Sequence, residues 1–295
     1  MSLLFAASQA LKTNNVKHGS LSFSPNGGYN EAIEDGKNVF CKVAPVNGSI
    51  TNLTSITKEL EFTRIYGNCL SAPIPAHEAI IEFAYDGVQR TMAVWRWEHI
   101  NTIKPEIATG IFVSQAMSDL QKIHQLPILE TLPVLGLGSL LESVEHRVKI
   151  AAQFSPSARH LAILKNLVDK FYDERDINFS NPVLIHGDCH IGNYAISPLG
   201  NKWIDYESVR VAPREWDYAG MYINLSITSN NKKAWVEASK DLEAYDEEKF
   251  FQACAIKCIS TASSLLLRES SHSKFEQRME ALESLLHTKN IPTMF

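Results

Sequence analysis

The chain has 295 residues, 45% hydrophobic and 21% charged, with a formal net charge of -5. That length supports one large domain or two lobes, and the mild acidic balance excludes the basic footprint of a nucleic-acid binder. Five cysteines (Cys41, Cys69, Cys189, Cys254 and Cys258) form no CxxC pair, so reduced thiols in a cytoplasmic protein are expected rather than a disulfide framework. Residues 1–12 are apolar without a basic leader and read as a helix, not a signal peptide. The apolar run at 127–141 is broken by Glu130, Pro133, Gly136 and Gly138 and falls short of the ~20 residues a membrane span needs.

After the first helix, residues 21–44 alternate and turn like a small antiparallel sheet. Turns are expected at Ser24 to Asn30, which contains Gly27 and Gly28, and at Glu34 to Lys37. The strand that follows, 38–44, carries Lys42 alone among apolar residues. A lysine inside such a run needs a reason unless it points outward from an edge strand. A helix is predicted over 52–66, stopped by Gly67-Asn68 and carrying Glu59 and Glu61. Pro73-Ile74-Pro75 breaks the chain, and strands 79–83 and 91–95 flank the Asp86-Gly87 turn. Trp95-Arg96-Trp97-Glu98 comes next, then a helical face at Ile111, Phe112, Ala116, Leu120 and Ile123 that ends at His124. His124 reads as a core or capping residue. Helices are predicted over 140–154 and 156–171, the second with Ser155 as cap and Pro156 in the first turn.

The chemistry concentrates between 183 and 217. A buried strand, Val183-Leu184-Ile185, leads into His186-Gly187-Asp188. Asn193 follows, and Asp205 ends a second strand beyond a turn at 198–201. An acid, an amide and a second acid in that order fit metal-assisted phosphoryl transfer. One carboxylate orients the attacking hydroxyl, while the amide oxygen and the other carboxylate hold a divalent cation. Gly187 stands where a protein kinase has Arg, and no Asp-Phe-Gly or Ala-Pro-Glu follows, which argues against a protein kinase. The last helices, over 232–242, 246–269 and 273–287, bring an acidic run (Asp241, Glu243, Asp246, Glu247, Glu248) and the aromatics Trp235, Tyr245 and Phe251. These could receive a cationic acceptor, but such a run is more often a solvated helix start, and ordinary packing is the better account of the aromatics.

His186 to Asn193, then Ile204 to Glu207, then Glu215 to Ala219 together resemble the aminoglycoside phosphotransferase and choline kinase-like family of small-molecule kinases. The resemblance implies an α+β, bilobal, protein-kinase-like fold. A small N-terminal antiparallel β-sheet lobe with a helix (1–95) would bind the nucleotide. A larger, mainly helical C-terminal lobe (96–295) would carry catalysis and the acceptor. It implies transfer of the γ-phosphoryl group of ATP (or GTP) to a hydroxyl of a small molecule, with no nucleic-acid or membrane partner. Asp188 is the expected base, with Mg2+ on Asn193 and Asp205 and with Glu207 near it. Lys42, Gly27 and Gly28 would face the phosphates, with Glu61, rather than Glu59, pairing Lys42. Trp95, Arg96, Trp97 and Glu98 would meet the base mainly through main chain. His186 and Asp217 would support the loop. A catalytically inactive, nucleotide-binding module is the alternative.

Overall fold

The computed structural model describes residues 2–24, 31–44, 50–135, 181–242 and 244–266, together with isolated positions between 142 and 169 and residues 279–280. Gly27 and Gly28 lie outside these residues, as does most of the predicted helices over 140–154, 156–171 and 273–287. Two compact units emerge: Met1–Ile103 with Gly192–Val209, and Lys104–Ile191 with Arg210–Phe295.

The first unit is built on an antiparallel sheet. Helix α1 (Leu3–Thr13) opens at Ser2, whose hydroxyl accepts the Phe5 N–H, and buries Leu3, Ala7 and Leu11. The strands are β1 (Ser22–Phe23), β2 (Glu31–Glu34), β3 (Val39–Val43), β4 (Pro75–Tyr85) and β5 (Val88–Arg96). Their order is β1-β2-β3-β5-β4. Strand β3 is therefore interior, paired with both β2 and β5, and Lys42 does not sit on an edge. One sheet face, with Cys41, Val43, Met92 and Val94, packs with α1. The other, with Ala93 and Trp95, packs with Ile56 and Leu60 of α2 (Ile50–Leu70). Because side chains alternate along a strand, Lys42, opposite Ala93, belongs to the α2 face.

Helix α2 runs past the predicted stop at Gly67-Asn68. It ends where Ser71 takes φ +52° and the Ala72 N–H returns to the Gly67 carbonyl at 2.9 Å, a left-handed cap with a six-to-one hydrogen bond. The same unit holds a small sheet in which Tyr194–Ile196 pairs with Asn101–Thr102 on one side and Lys202–Trp203 on the other. Gly200, at φ +111°, supplies the turn between the last two.

In the second unit, α3 (Gly110–His124) is capped by Thr109 and buries Val113, Ala116, Met117, Leu120, Ile123 and His124. Strands β6 (Val183–Ile185) and β7 (Arg210–Ala212) form an antiparallel ribbon. Helix α4 (Glu215–Tyr222) continues into a π-helical stretch, Ile223–Thr228. Helices α5 (Lys232–Ala238) and α6 (Glu247–Leu266) follow. Trp235 stacks on Phe250 with an interplanar angle of 4°, and Tyr222 meets both rings edge-on. Among the described residues, no helix is long and apolar enough to cross a membrane.

Candidate active site

The first unit gathers three carboxylates around one ammonium. Lys42 Nζ donates to Glu59 Oε2 at 2.7 Å, Asp205 Oδ1 at 2.6 Å and Glu207 Oε1 at 2.9 Å. Glu59 is 3% exposed and also accepts the Tyr206 N–H through Oε1 at 3.0 Å. Burial by itself would lower the proton affinity of Lys42, but Glu59, Asp205 and Glu207 outweigh it and hold the ammonium above the usual lysine range. Burial pushes the Glu59 carboxyl up, to about 7, against the pull of Lys42.

The expected partner of Lys42 was Glu61; the structure pairs it with Glu59 instead. Ile56, Glu59, Leu60, Thr63 and Tyr66 are buried, whereas Glu61, Arg64 and Ile65 are exposed. Positions three and four apart share a helix face, and that periodicity would have selected Glu59 without a structure.

The hairpin explains how Asn193 and Asp205 come together. Tyr194 pairs with Trp203, their rings 5.3 Å apart, and the Ile204 N–H donates to the Asn193 carbonyl at 2.9 Å. The two residues thus stand at the open end of one hairpin. Asp205 is held at φ +66°, a conformation that costs a non-glycine residue roughly 1–3 kcal/mol and is usually imposed by its surroundings.

Ligand oxygens of Glu59, Asp205 and Glu207 lie within 4.8 Å of one another. Three carboxylates against one ammonium leave an excess of negative charge, and all the donors are hard oxygens. This set, with Asn193 beside it, fits a divalent cation such as Mg2+.

A cavity of about 540 Å3 opens onto this cluster, within the range of small-molecule sites. Trp95, Arg96, Trp97 and Glu98 all line it. Trp95 is 2% exposed, with its ring 5.7 Å from Lys42 Nζ. The expected main-chain role of this segment is narrowed, because the Arg96 N–H donates to the Ile74 carbonyl and the Trp97 N–H to the Asn38 carbonyl. Glu98 uses both carboxylate oxygens on the buried Lys202, at 2.7 and 2.8 Å, a pair not anticipated from sequence.

The second unit holds the loop that carries Asp188. The Asp217 carboxylate accepts the His186 N–H at 2.8 Å and the Gly187 N–H at 2.9 Å, and lies 3.1 Å from His124 Nε2. Burial would push Asp217 up, yet the His124 hydrogen bond and the charges of His124, His186 and Lys257 hold it below the usual carboxylate range. His186 is fully buried. Asp188 exposes 56% of its side chain, with His190 Nε2 3.8 Å away. His124, at the end of α3, is thus Asp217's partner, a contact the sequence did not announce. Within the acidic run, Asp246 is spent locally. Asp246 caps the first turn of α6 by accepting the Glu248 and Lys249 N–H groups, and its own N–H donates to Glu215. Glu243 lies outside the described residues. Trp235, 1% exposed, is core rather than the wall of an open cage.

A family model described as "phosphotransferase enzyme family" matches residues 34–251. The chain belongs to that family. This phosphotransferase is an enzyme of the small-molecule kinase type, and its fold recurs in solved structures. The GDP complex of wild-type aminoglycoside 2'-phosphotransferase-IIIa aligns with TM-score 0.69 at 14% identity, covering 98% of this chain and 100% of the other. A choline kinase from Streptococcus pneumoniae aligns with TM-score 0.66 at 13% identity over 96% and 99%. An amicoumacin kinase in complex with AMP-PNP, Ca2+ and Ami aligns with TM-score 0.66 at 10% identity over 94% and 93%. No curated protein matches the sequence.

Proposed function

We propose that this phosphotransferase moves the γ-phosphoryl group of ATP or GTP to a hydroxyl of a small molecule. The observation that carries the reading is the Lys42 cluster: a buried, fixed ammonium whose partners Asp205 and Glu207 can turn to a cation. Nucleotide complexes among the similar structures, with GDP and with AMP-PNP, support the nucleotide.

Lys42 binds the nucleotide phosphates, and Glu59 keeps its ammonium in place. Asp205 and Asn193, with Glu207 beside them, would hold Mg2+, whose chemistry is to neutralise phosphate charge. Asp188 accepts the proton of the acceptor hydroxyl as the new O–P bond forms and the bond to the departing diphosphate breaks. Asp217 and His186 fix the loop that presents it. Rate comes mainly from positioning and charge neutralisation. Five free thiols suit a reducing cytoplasm.

The test is Mg2+-dependent nucleotide consumption with ATP and with GTP across aminoglycosides, macrolides, choline, ethanolamine, homoserine and sugars. One class should accept phosphate, and Asp188→Ala should abolish the transfer while nucleotide binding persists. Normal turnover by Asp188→Ala would remove Asp188 from this role.

A further inference from the structure

Lys257 lies in the middle of α6, in the run Ala253-Cys254-Ala255-Ile256-Lys257-Cys258-Ile259. Every neighbour in that run is buried. A lysine so placed needs a partner, and its partner is the loop that carries Asp188. Lys257 Nζ donates to the Gly187 carbonyl at 3.1 Å and sits 4.6 Å from the centre of the Trp216 ring. Trp216 Nε1 donates to the same carbonyl at 3.2 Å. The Gly187 N–H is held from the other side by Asp217. Gly187, at φ +87°, is thus gripped at both its N–H and its carbonyl, and Asp188 is the next residue.

Helix α4 leaves room for this arrangement. A Cβ at Gly220 would stand 2.4 Å from the Cys189 carbonyl oxygen and 3.2 Å from Lys257 Nζ, so a side chain there would displace the loop backbone and crowd the ammonium. The charges facing Lys257 are Asp217, Asp188 and Arg210, with the Cys189 thiol among them. Burial lowers the proton affinity of Lys257, and the two aspartates work against that.

We infer that Lys257 is a positioning residue for phosphoryl transfer: through the Gly187 carbonyl it fixes the main chain that presents Asp188. The inference rests on Asp188 being the base. Loss of the clamp would misplace the Asp188 carboxylate while leaving Lys42, Asn193 and Asp205 untouched, so it would act on kcat rather than on nucleotide affinity. A displacement near 1 Å can cost about 100-fold in rate.

The experiment compares wild type, Lys257→Met, Lys257→Arg and Asp188→Asn in Mg2+-dependent hydrolysis of ATP and GTP, with water as acceptor. Hydrogen exchange of the 183–191 segment is followed in parallel. For Lys257→Met the expected result is a fall in kcat of about 100-fold, a nucleotide KM within about twofold of wild type, and faster exchange in that segment alone. Lys257→Arg, which keeps a cationic donor, should recover most of both. Wild-type exchange in Lys257→Met, or a raised KM with unaltered kcat, overturns the proposal. So does an Arg variant that behaves like Met. If Asp188→Asn hydrolyses nucleotide as fast as wild type, it is the base assignment that fails, and the exchange measurement still decides the clamp.

Discussion

Replacing Lys42 with Met removes the only ammonium that contacts Glu59 among the described residues. Glu59 would then be a carboxylate 3% exposed, with Asp205 and Glu207 close by. Breaking a buried pair by deleting one partner costs about 3–5 kcal/mol. The Asp205 contact adds little to that figure, because its side chain is 40% exposed and solvent screens it. The loss has a pH signature. Glu59 already titrates near 7 in the folded chain, raised by burial and held back by Lys42; without Lys42 it rises further. A carboxyl raised on folding binds more protons folded than unfolded, so between its unfolded value and its folded value stability falls as pH rises. The slope approaches about 1.4 kcal/mol per pH unit for one group. Lys42→Met should therefore lose about 1.4 kcal/mol more, relative to wild type, at pH 8 than at pH 6, a further fall in Tm of about 3–6 °C. Thermal melts of wild type and variant at both pH values measure it. Adding Glu59→Gln should restore most of the extra pH 8 loss, and Mg2+ should stabilise Lys42→Met more than wild type, because Lys42 no longer competes with the cation for the three carboxylates. An equal loss at pH 6 and pH 8, or no rescue by Glu59→Gln, refutes the reasoning.

The other predictions separate the elements of the site. Glu59→Gln should lower kcat/KM for nucleotide turnover by about 10- to 100-fold, equivalent to roughly 1.4–2.8 kcal/mol, whereas Glu61→Gln, at an exposed position, should change stability by less than about 0.5 kcal/mol. Asp217→Asn removes a buried charged acceptor of two loop N–H groups and should cost about 2–4 kcal/mol in denaturant melts. Because the folded Asp217 carboxyl is depressed, its contribution is complete above the ordinary carboxylate range and is lost as pH falls through the folded value, so the variant should show a shallower acid limb of stability. Gly220→Ala would gain up to about 1 kcal/mol in an unobstructed helix, yet here the Cβ meets the Cys189 carbonyl. A lower Tm is expected, and a higher one would show that the loop yields.

Much of the site was legible because its signals are local. Lys42 stands out within five residues of strand, and Asp188, Asn193 and Asp205 keep one order along a single hairpin-forming segment. What the sequence left open involves faces and distant partners. Choosing between Glu59 and Glu61 required knowing which side of α2 meets the sheet. The Arg96 and Trp97 N–H groups were committed by Ile74 and Asn38, neighbours that only strand pairing supplies. For the acidic run 241–248, the helix-start reading fits Asp246, whose carboxylate caps the first turn of α6.

The sequence by itself determined where the candidate chemical groups stand along the chain. A lone strand lysine, an acid-amide-acid series and a small hairpin turn are fixed by spacing and by the two-residue and 3.6-residue periods of the backbone. Tertiary structure decided which groups meet. Lys42 meets Asp205 across 163 residues, His124 meets Asp217 across 93, and Lys257 meets Gly187 across 70. The physical reason is desolvation. Lys42, His124 and Asp217 are largely withdrawn from water and must find a partner, and which partner lies within reach is set by packing rather than by spacing along the chain.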